Sequence, residues 1–342
     1  MNLYETCLLK GNEKGIKKAA ELLRSGETVA IPTETVYGLA ANALDDKAVR
    51  RIFEAKGRPR DNPLIVHISD INRLDELVAD IPKSAMILAD KYWPGPLTMI
   101  FNRSLIIPDS VSAGLSTVAV RMPSHPVARA IIKEADIPLA APSANRSGSP
   151  SPTTAAHVLH DMRGRIPAVV DGGECIVGVE STVVDLTGNQ PKLLRPGGIT
   201  PEMLISVLGG LQIHPAVKSR LPDDEPAVSP GLKYKHYSPK ADVVLVKAAP
   251  DRFADFVNSQ KREGTAAMCF DGEEGTLQVP FVTYGSRHDL NAQARRVFDA
   301  LRRLDDIGAA TVYCSCPDEK GIGLAVYNRL LRATGYEVIE LD

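Results

Sequence analysis

The sequence has no G-x-x-x-x-G-K-[ST] loop, no H-E-x-x-H and no G-x-S-x-G. A phosphate or nucleophile site must therefore be assembled from separate stretches of chain. Cysteine is sparse, five residues in 342, and no C-x-x-C pair occurs. Cys314 and Cys316 stand one residue apart, the wrong spacing for a zinc knuckle, so the thiols read as reduced packing residues. No stretch approaches the roughly 18 apolar residues of a membrane span. The start, "MNLYETCLLKGNEKG", has no apolar h-region, so a cytoplasmic protein is expected. Excess charge is missing too: the formal net charge is -2. Bulk attraction to nucleic acid or anionic membrane is thereby excluded, and any anion site must come from local clustering. There is no internal repeat and no low-complexity tract.

What is present is alternation. Hydrophobic content of 44% with 24% charged residues is globular, and 342 residues suit two domains. Strands are predicted at 28–31, 64–68, 97–101, 118–122, 138–141, 168–171 and 181–186. A helix is predicted from about Asp45, with Asp45 or Asp46 as cap and Val49, Ile52 and Phe53 on one face. Further helices are predicted near 82–91, 126–134, 153–159 (Thr153 capping) and 201–208. Residues 1–208 thus form an α/β domain with a mixed sheet. Residues 209–240 hold five prolines and three glycines in 32 positions, a linker or a functional loop. From 241 to 342 a cleaner alternation predicts a smaller Rossmann-like α/β domain. Gly321-Ile-Gly323 is too short for a dinucleotide fingerprint.

Four stretches can carry chemistry. In "EAKGRPRDNPLIVHI" (54–68), Lys56 and Arg58 flank Gly57, and Pro59 stiffens the exit. A turn that converges the two cations suits a triphosphate; the alternative is a solvated turn whose cations complement a helix C-terminus. "PTETVYGLAANA" (32–43) puts two threonines, a glutamate and a tyrosine after a buried strand, a ligand loop or an ordinary polar loop. "AAPSANRSGSPSPTTA" (140–155) runs hydroxyls and flexible backbone toward a helix start, a phosphate cradle or a plain Ser/Gly/Pro loop. "SPGLKYKHYSPK" (229–240) is rich in aromatics and cations, which a spacer does not need. Arg121 lies inside an apolar strand and requires an anionic partner. His67 lies inside "LIVHI", where a core histidine is the commoner role.

"PTETVYGL", the Lys56-x-Arg58 and Ser143-x-Asn145 pairs and "SPGLKYKHYSP", in this order, resemble the YrdC-type threonylcarbamoyl-adenylate synthases in their longer, two-domain form. The likeness covers about residues 10–240, with weaker motifs beyond. It implies a twisted mixed-sheet, YrdC-like catalytic domain with a concave basic cavity. It implies that L-threonine, bicarbonate and ATP give threonylcarbamoyl-adenylate and pyrophosphate. A downstream transferase would then modify the adenosine beside the anticodon of tRNAs that read ANN codons. By resemblance, threonine contacts Thr35, His67, Arg121, Ala141 and Ser181. ATP contacts Arg58, Asn62, Thr117, Ser143, Ser151, Arg195 and Tyr234. Lys56, Arg58, Ser143 and Asn145 form the catalytic group. Mg²⁺ accompanies ATP with no dedicated protein cage. Contact with tRNA is indirect or weak, and residues 229–240 are expected to close over the cavity as a lid.

The chemistry needs no protein nucleophile. A threonine carbamate itself attacks the α-phosphorus, so the protein positions anions and neutralises charge. Three rival readings stay open. An RNA-binding module is disfavoured by the near-neutral charge. A carbamoyl transferase would bring acylphosphatase and zinc-finger segments that are not visible. A structural protein leaves the converging polar motifs unexplained.

Overall fold

The computed structural model describes residues 4–220 and 237–341. Two sheets organise them. The first has eleven strands: β1 (Cys7–Lys10), β2 (Val29–Ile31), β3 (Gly38–Asn42), β4 (Ile65–His67), β5 (Leu97–Asn102), β6 (Thr117–Arg121), β7 (Leu139–Ala140), β8 (Ala168–Asp171), β9 (Thr182–Asp185), β10 (Lys192–Arg195) and β11 (Gln212–Ile213). Their spatial order is β1-β8-β2-β3-β7-β4-β6-β5-β9-β10-β11. Parallel pairs such as β4/β6 and antiparallel pairs such as β5/β6 occur together, so the sheet is mixed. The second sheet is wholly parallel, with β12 (Asp242–Lys247), β13 (Thr265–Cys269), β14 (Phe281–Thr283), β15 (Thr311–Ser315) and β16 (Val338–Glu340) in the order β14-β13-β15-β12-β16. This is the expected α/β architecture, a mixed sheet followed by a smaller Rossmann-like unit.

The period of two in the central strands separates two faces of the first sheet. Val66, Val120, Met99, Val184 and Leu193 point into the main core, among residues of the helices. Their neighbours Ile65, Ala119, Ile100, Val183 and Leu194 form a small apolar cluster on the opposite face. On that opposite face His67 and Arg121 lie side by side, and Arg121 pairs across to Thr98.

Several local expectations need correction. "GLAAN" is not loop but strand β3, which forms a hairpin with β2 and leaves only 32–37 as the connection. Its small residues are buried on both faces, so it lacks the polar alternation of a half-exposed strand. The helix after the Ser/Pro loop begins at Ala155, and its cap is Thr154, whose hydroxyl accepts from His157 N; Thr153 lies outside it. Gln212–Ile213, inside the expected 209–240 linker, pairs in parallel with β10. A two-residue edge strand is too short to show a period. Segments 7–10 and 13–24, unassigned from the sequence, are an edge strand and a helix whose cap is Asn12.

The two sheets are not joined by chain alone. Val36 and Val179 from the first unit, and Tyr237, are buried in the same apolar cluster as the second unit's core. All five cysteines are unpaired, and Cys175, Cys269 and Cys314 are buried. No helix among the described residues is long and apolar enough to cross a membrane.

Candidate active site

The opposite face of the first sheet floors a cleft. Its walls are built from three loops and from the ends of β9 and β10.

The first wall is the β2–β3 hairpin loop. Thr33 Oγ1 donates to Val36 O at 2.6 Å, which folds the loop back on itself. Thr33 Oγ1 has then used its hydrogen, so Thr35 Oγ1 donates to it at 2.9 Å. Arg121 Nη1 in turn donates to Thr35 Oγ1 at 2.9 Å. The anion that Arg121 requires is Glu34, whose Oε1 lies 2.7 Å from Nη2. Burial alone would raise the Glu34 carboxyl; the charge and hydrogen bond of Arg121 outweigh it and hold the group below its usual range. Beside Arg121, His67 Nδ1 lies 3.1 Å from Ile65 O. A carbonyl can only accept, so Nδ1 bears the hydrogen. Burial, reinforced by the Arg121 charge, lowers the imidazole to about 3, so the ring is neutral.

The second wall starts at the helix Asp46–Lys56. Asp45 caps it, accepting from Lys47 N and Ala48 N. Gly57 ends it with φ 64°, and Arg58 N reaches back to Phe53 O at 3.0 Å. That Schellman turn sends the next residues away from the helix axis. Val49, Ile52, Phe53 and Lys56 fall at i, i+3, i+4 and i+7, so the lysine occupies the buried stripe. Lys56 Nζ donates to Ser143 O at 2.5 Å and Asn145 O at 2.6 Å. Burial, with the Arg58 charge adding to it, lowers its pKa well below the ordinary range. Asn145 Nδ2 donates to Ser149 O at 2.7 Å, closing the 143–149 loop. Lys56 and Arg58 both line the cleft, and Lys56 in addition binds the loop backbone. Among its interactions, Arg58 Nη2 donates to Asn62 O at 3.4 Å and Pro63 O at 3.3 Å within its own turn.

The third wall is formed where β9 begins and β10 ends. Arg195 Nε and Nη2 donate to Ser181 O and Oγ, both at 3.0 Å. Ser181 Oγ also meets Thr98 Oγ1 at 2.7 Å. Burial lowers Arg195 to about 10, still a cation at neutral pH. Glu180 precedes Ser181, lines the cleft and accepts from Ser151 Oγ at 2.5 Å.

Ten of the residues singled out from the sequence line this one cleft: Thr35, Lys56, Arg58, His67, Arg121, Ala141, Ser143, Asn145, Ser181 and Arg195. Asn62 is fully buried behind Arg58, and Ser151 is buried behind Glu180. Thr117 stands at the far end of β6 from Arg121, outside the lining. Tyr234, and most of the 229–240 segment expected to act as a lid, lie outside the described residues. Tyr237 is described and lines the cleft. Sequence reasoning missed Glu34 and Glu180 as structural carboxylates. It missed Arg329, which pairs with Glu180 from the helix Gly323–Ala333. The available signal was a charged residue at i+7 of an apolar stripe, Ile322, Val326, Arg329 and Ala333.

Comparison with known proteins covers the whole chain. The Sua5/YciO/YrdC family model, described as telomere recombination, matches residues 21–197. A model described as threonylcarbamoyl-AMP synthase, C-terminal domain, matches residues 199–335. The threonylcarbamoyl-AMP synthase of Pyrococcus abyssi is 46% identical over 95% of this chain and 96% of its own length. That of Bacillus subtilis is 44% identical over 97% of this chain and 96% of its own length. The crystal structure of P. abyssi Sua5 complexed with L-threonine superposes with a TM-score of 0.93 at 44% identity, covering 98% of this chain and 100% of that one.

Proposed function

The chain belongs to the Sua5/YciO/YrdC family, and on that premise we propose that it is an L-threonylcarbamoyladenylate synthase, a nucleotidyltransferase. It would join L-threonine, bicarbonate and ATP into threonylcarbamoyl-AMP, releasing pyrophosphate and water. The observation that carries this reading is the full-length likeness to a protein crystallised with L-threonine, combined with one cleft that unites Thr35, His67, Arg121 and Ser181.

In this reading the threonine amine, once deprotonated, adds to carbon dioxide from bicarbonate. A carbamate oxygen then attacks the α-phosphorus, and the bond from that phosphorus to the bridging oxygen of pyrophosphate breaks. The chain's task is to hold two anions in line and to disperse charge on the leaving group. Thr35, oriented by Arg121, and Ser181, oriented by Arg195, present hydroxyls to threonine. Neutral His67 adds no charge beside them. Arg58 and Arg195 face the phosphates. Ser143 and Asn145 act through the loop that Lys56 holds, with Asn62 and Ser151 buttressing from behind. Thr117 and Tyr234 keep their assignment to the nucleotide on resemblance alone.

Mg²⁺ would arrive with ATP. The residues present do not suit a protein cage: Glu34 and Glu180 are each committed to an arginine. Among the described residues no group of three His, Cys, Asp or Glu side chains could hold an ion. The phosphates and water would carry it. The product would pass to a transferase acting on ANN-decoding tRNAs in the cytoplasm, with weak or indirect tRNA contact by this chain itself.

The test is pyrophosphate release from ATP and Mg²⁺ with each of several amino acids, with and without bicarbonate. Release that requires both L-threonine and bicarbonate is expected. No release with any amino acid, or release dependent on carbamoyl phosphate, would overturn the reading.

A further inference from the structure

We infer that Arg329, on a helix of the second unit, is a positioning residue for the cleft: it holds Glu180 and cancels its charge, so that a wall containing a carboxylate can accept a polyanion. This rests on the proposed ATP-dependent reaction and deepens it.

Glu180 is the one carboxylate among the described residues lining the cleft. A negative charge in a buried wall opposes a triphosphate, and the low local dielectric magnifies the opposition. The residue nevertheless has two structural tasks. Its Oε1 accepts from Ser151 Oγ at 2.5 Å, anchoring the end of the loop that begins at Ser143. Its Oε2 accepts from Arg329 Nε at 2.7 Å. Arg329 is fully buried and also donates to Glu180 O at 3.2 Å and Pro196 O at 3.0 Å. One guanidinium therefore bridges the backbone next to Ser181 and the backbone next to Arg195.

The surrounding contact leaves no slack. A Cβ on Gly178 would stand 2.3 Å from Arg295 Cα and 2.4 Å from Ala294 O, both in the second unit's long helix. A Cβ on Gly197 would stand 2.4 Å from Thr182 N. The charges of Arg329 and Arg195, with the Ser151 hydrogen bond, hold the Glu180 carboxyl below its usual range although burial alone would raise it. With the Arg329 charge gone, Arg195 would remain as a cation acting on Glu180. A buried negative charge would then face the phosphates and draw on a guanidinium that holds Ser181. The second unit is in this account part of the nucleotide site.

Binding of ATP and of AMP, each with Mg²⁺, is to be measured by calorimetry on the full-length wild type, Arg329→Met, Arg329→Lys and Arg329→Met/Glu180→Gln. Glutamine keeps an acceptor for Ser151 without the charge. Arg329→Met should weaken ATP about tenfold or more, and AMP less, because AMP carries fewer charges. Arg329→Lys and the double variant restore the charge balance and should bind ATP within about threefold of wild type. A folded double variant as weak as Arg329→Met, or an Arg329→Met protein with wild-type ATP affinity, would overturn the inference and leave Arg329 an interface anchor. If Arg329→Met does not fold, the other two variants decide: loss of ATP binding in the folded double variant refutes charge compensation. A wild type that does not bind ATP would refute the synthase reading itself, and this inference with it.

Discussion

His67 should make this protein sensitive to acid in a calculable way. In the folded state burial lowers the imidazole from 6.5 to about 3. The unfolded chain regains the ordinary value, so it binds more protons than the folded chain at every pH between the two. Stability from this residue is complete above 6.5, falls as the pH drops below that value, and stops falling below about 3. At about pH 5 the unfolded histidine is almost wholly protonated and the folded one is not. The linkage cost is then close to 1.36 kcal/mol for each of the roughly 1.5 pH units traversed, or about 2 kcal/mol. That figure depends on the unfolded value and hardly on how low the folded one lies. The assay is urea unfolding of wild type and His67→Gln at about pH 8 and about pH 5. Glutamine does not titrate, so the wild type should lose about 2 kcal/mol more than the variant between the two conditions. Equal losses would mean that His67 is protonated in the folded protein, and the neutral character assigned to the threonine subsite would be wrong.

Two further substitutions separate the cations of the 56–58 turn. Lys56→Met strands the carbonyls of Ser143 and Asn145 in a buried loop, and should cost about 2–4 kcal/mol in urea unfolding along with activity; a loss under about 1 kcal/mol would show that the loop does not depend on the ammonium. Arg58→Ala should lower pyrophosphate release about 10²-fold, more than any accompanying loss of folding stability explains; a loss of activity matched by an equal loss of folding would remove Arg58 from the phosphate site.

The dependence of the cleft on burial explains its unusual charge pattern. Four basic side chains line it, yet the net charge of the whole chain is -2. Arg121 is balanced by Glu34, and Glu180 by Arg329. These pairs are out of water, so breaking one leaves an uncompensated buried charge, at about 3–5 kcal/mol. They set the orientation of hydroxyls on Thr35 and Ser151 more than they add stability.

Much of this was legible in the residues themselves. Strands such as Ala168–Asp171 and helices such as Pro201–Leu208 follow from apolar runs, proline at a first helical turn and a threonine cap, all of which act over a few residues. Thr35, Lys56, Arg58, Ser143 and Asn145 also stood in motifs readable as polar or cationic groups beside apolar segments. Other features were decided only when distant segments met. That Lys56 is held by backbone carbonyls was decided by a loop 87 residues away. Whether Gly38–Asn42 is loop or strand depends on pairing with Val29–Ile31 and Leu139–Ala140. The partner of Glu180 comes from a helix 149 residues further along the chain. Local propensity is a property of neighbours in sequence, whereas burial, charge compensation and hydrogen-bond partners are properties of neighbours in space. The chain alone therefore determined its elements and its candidate chemistry, and tertiary packing decided which charged side chains are paired and which segments they hold together.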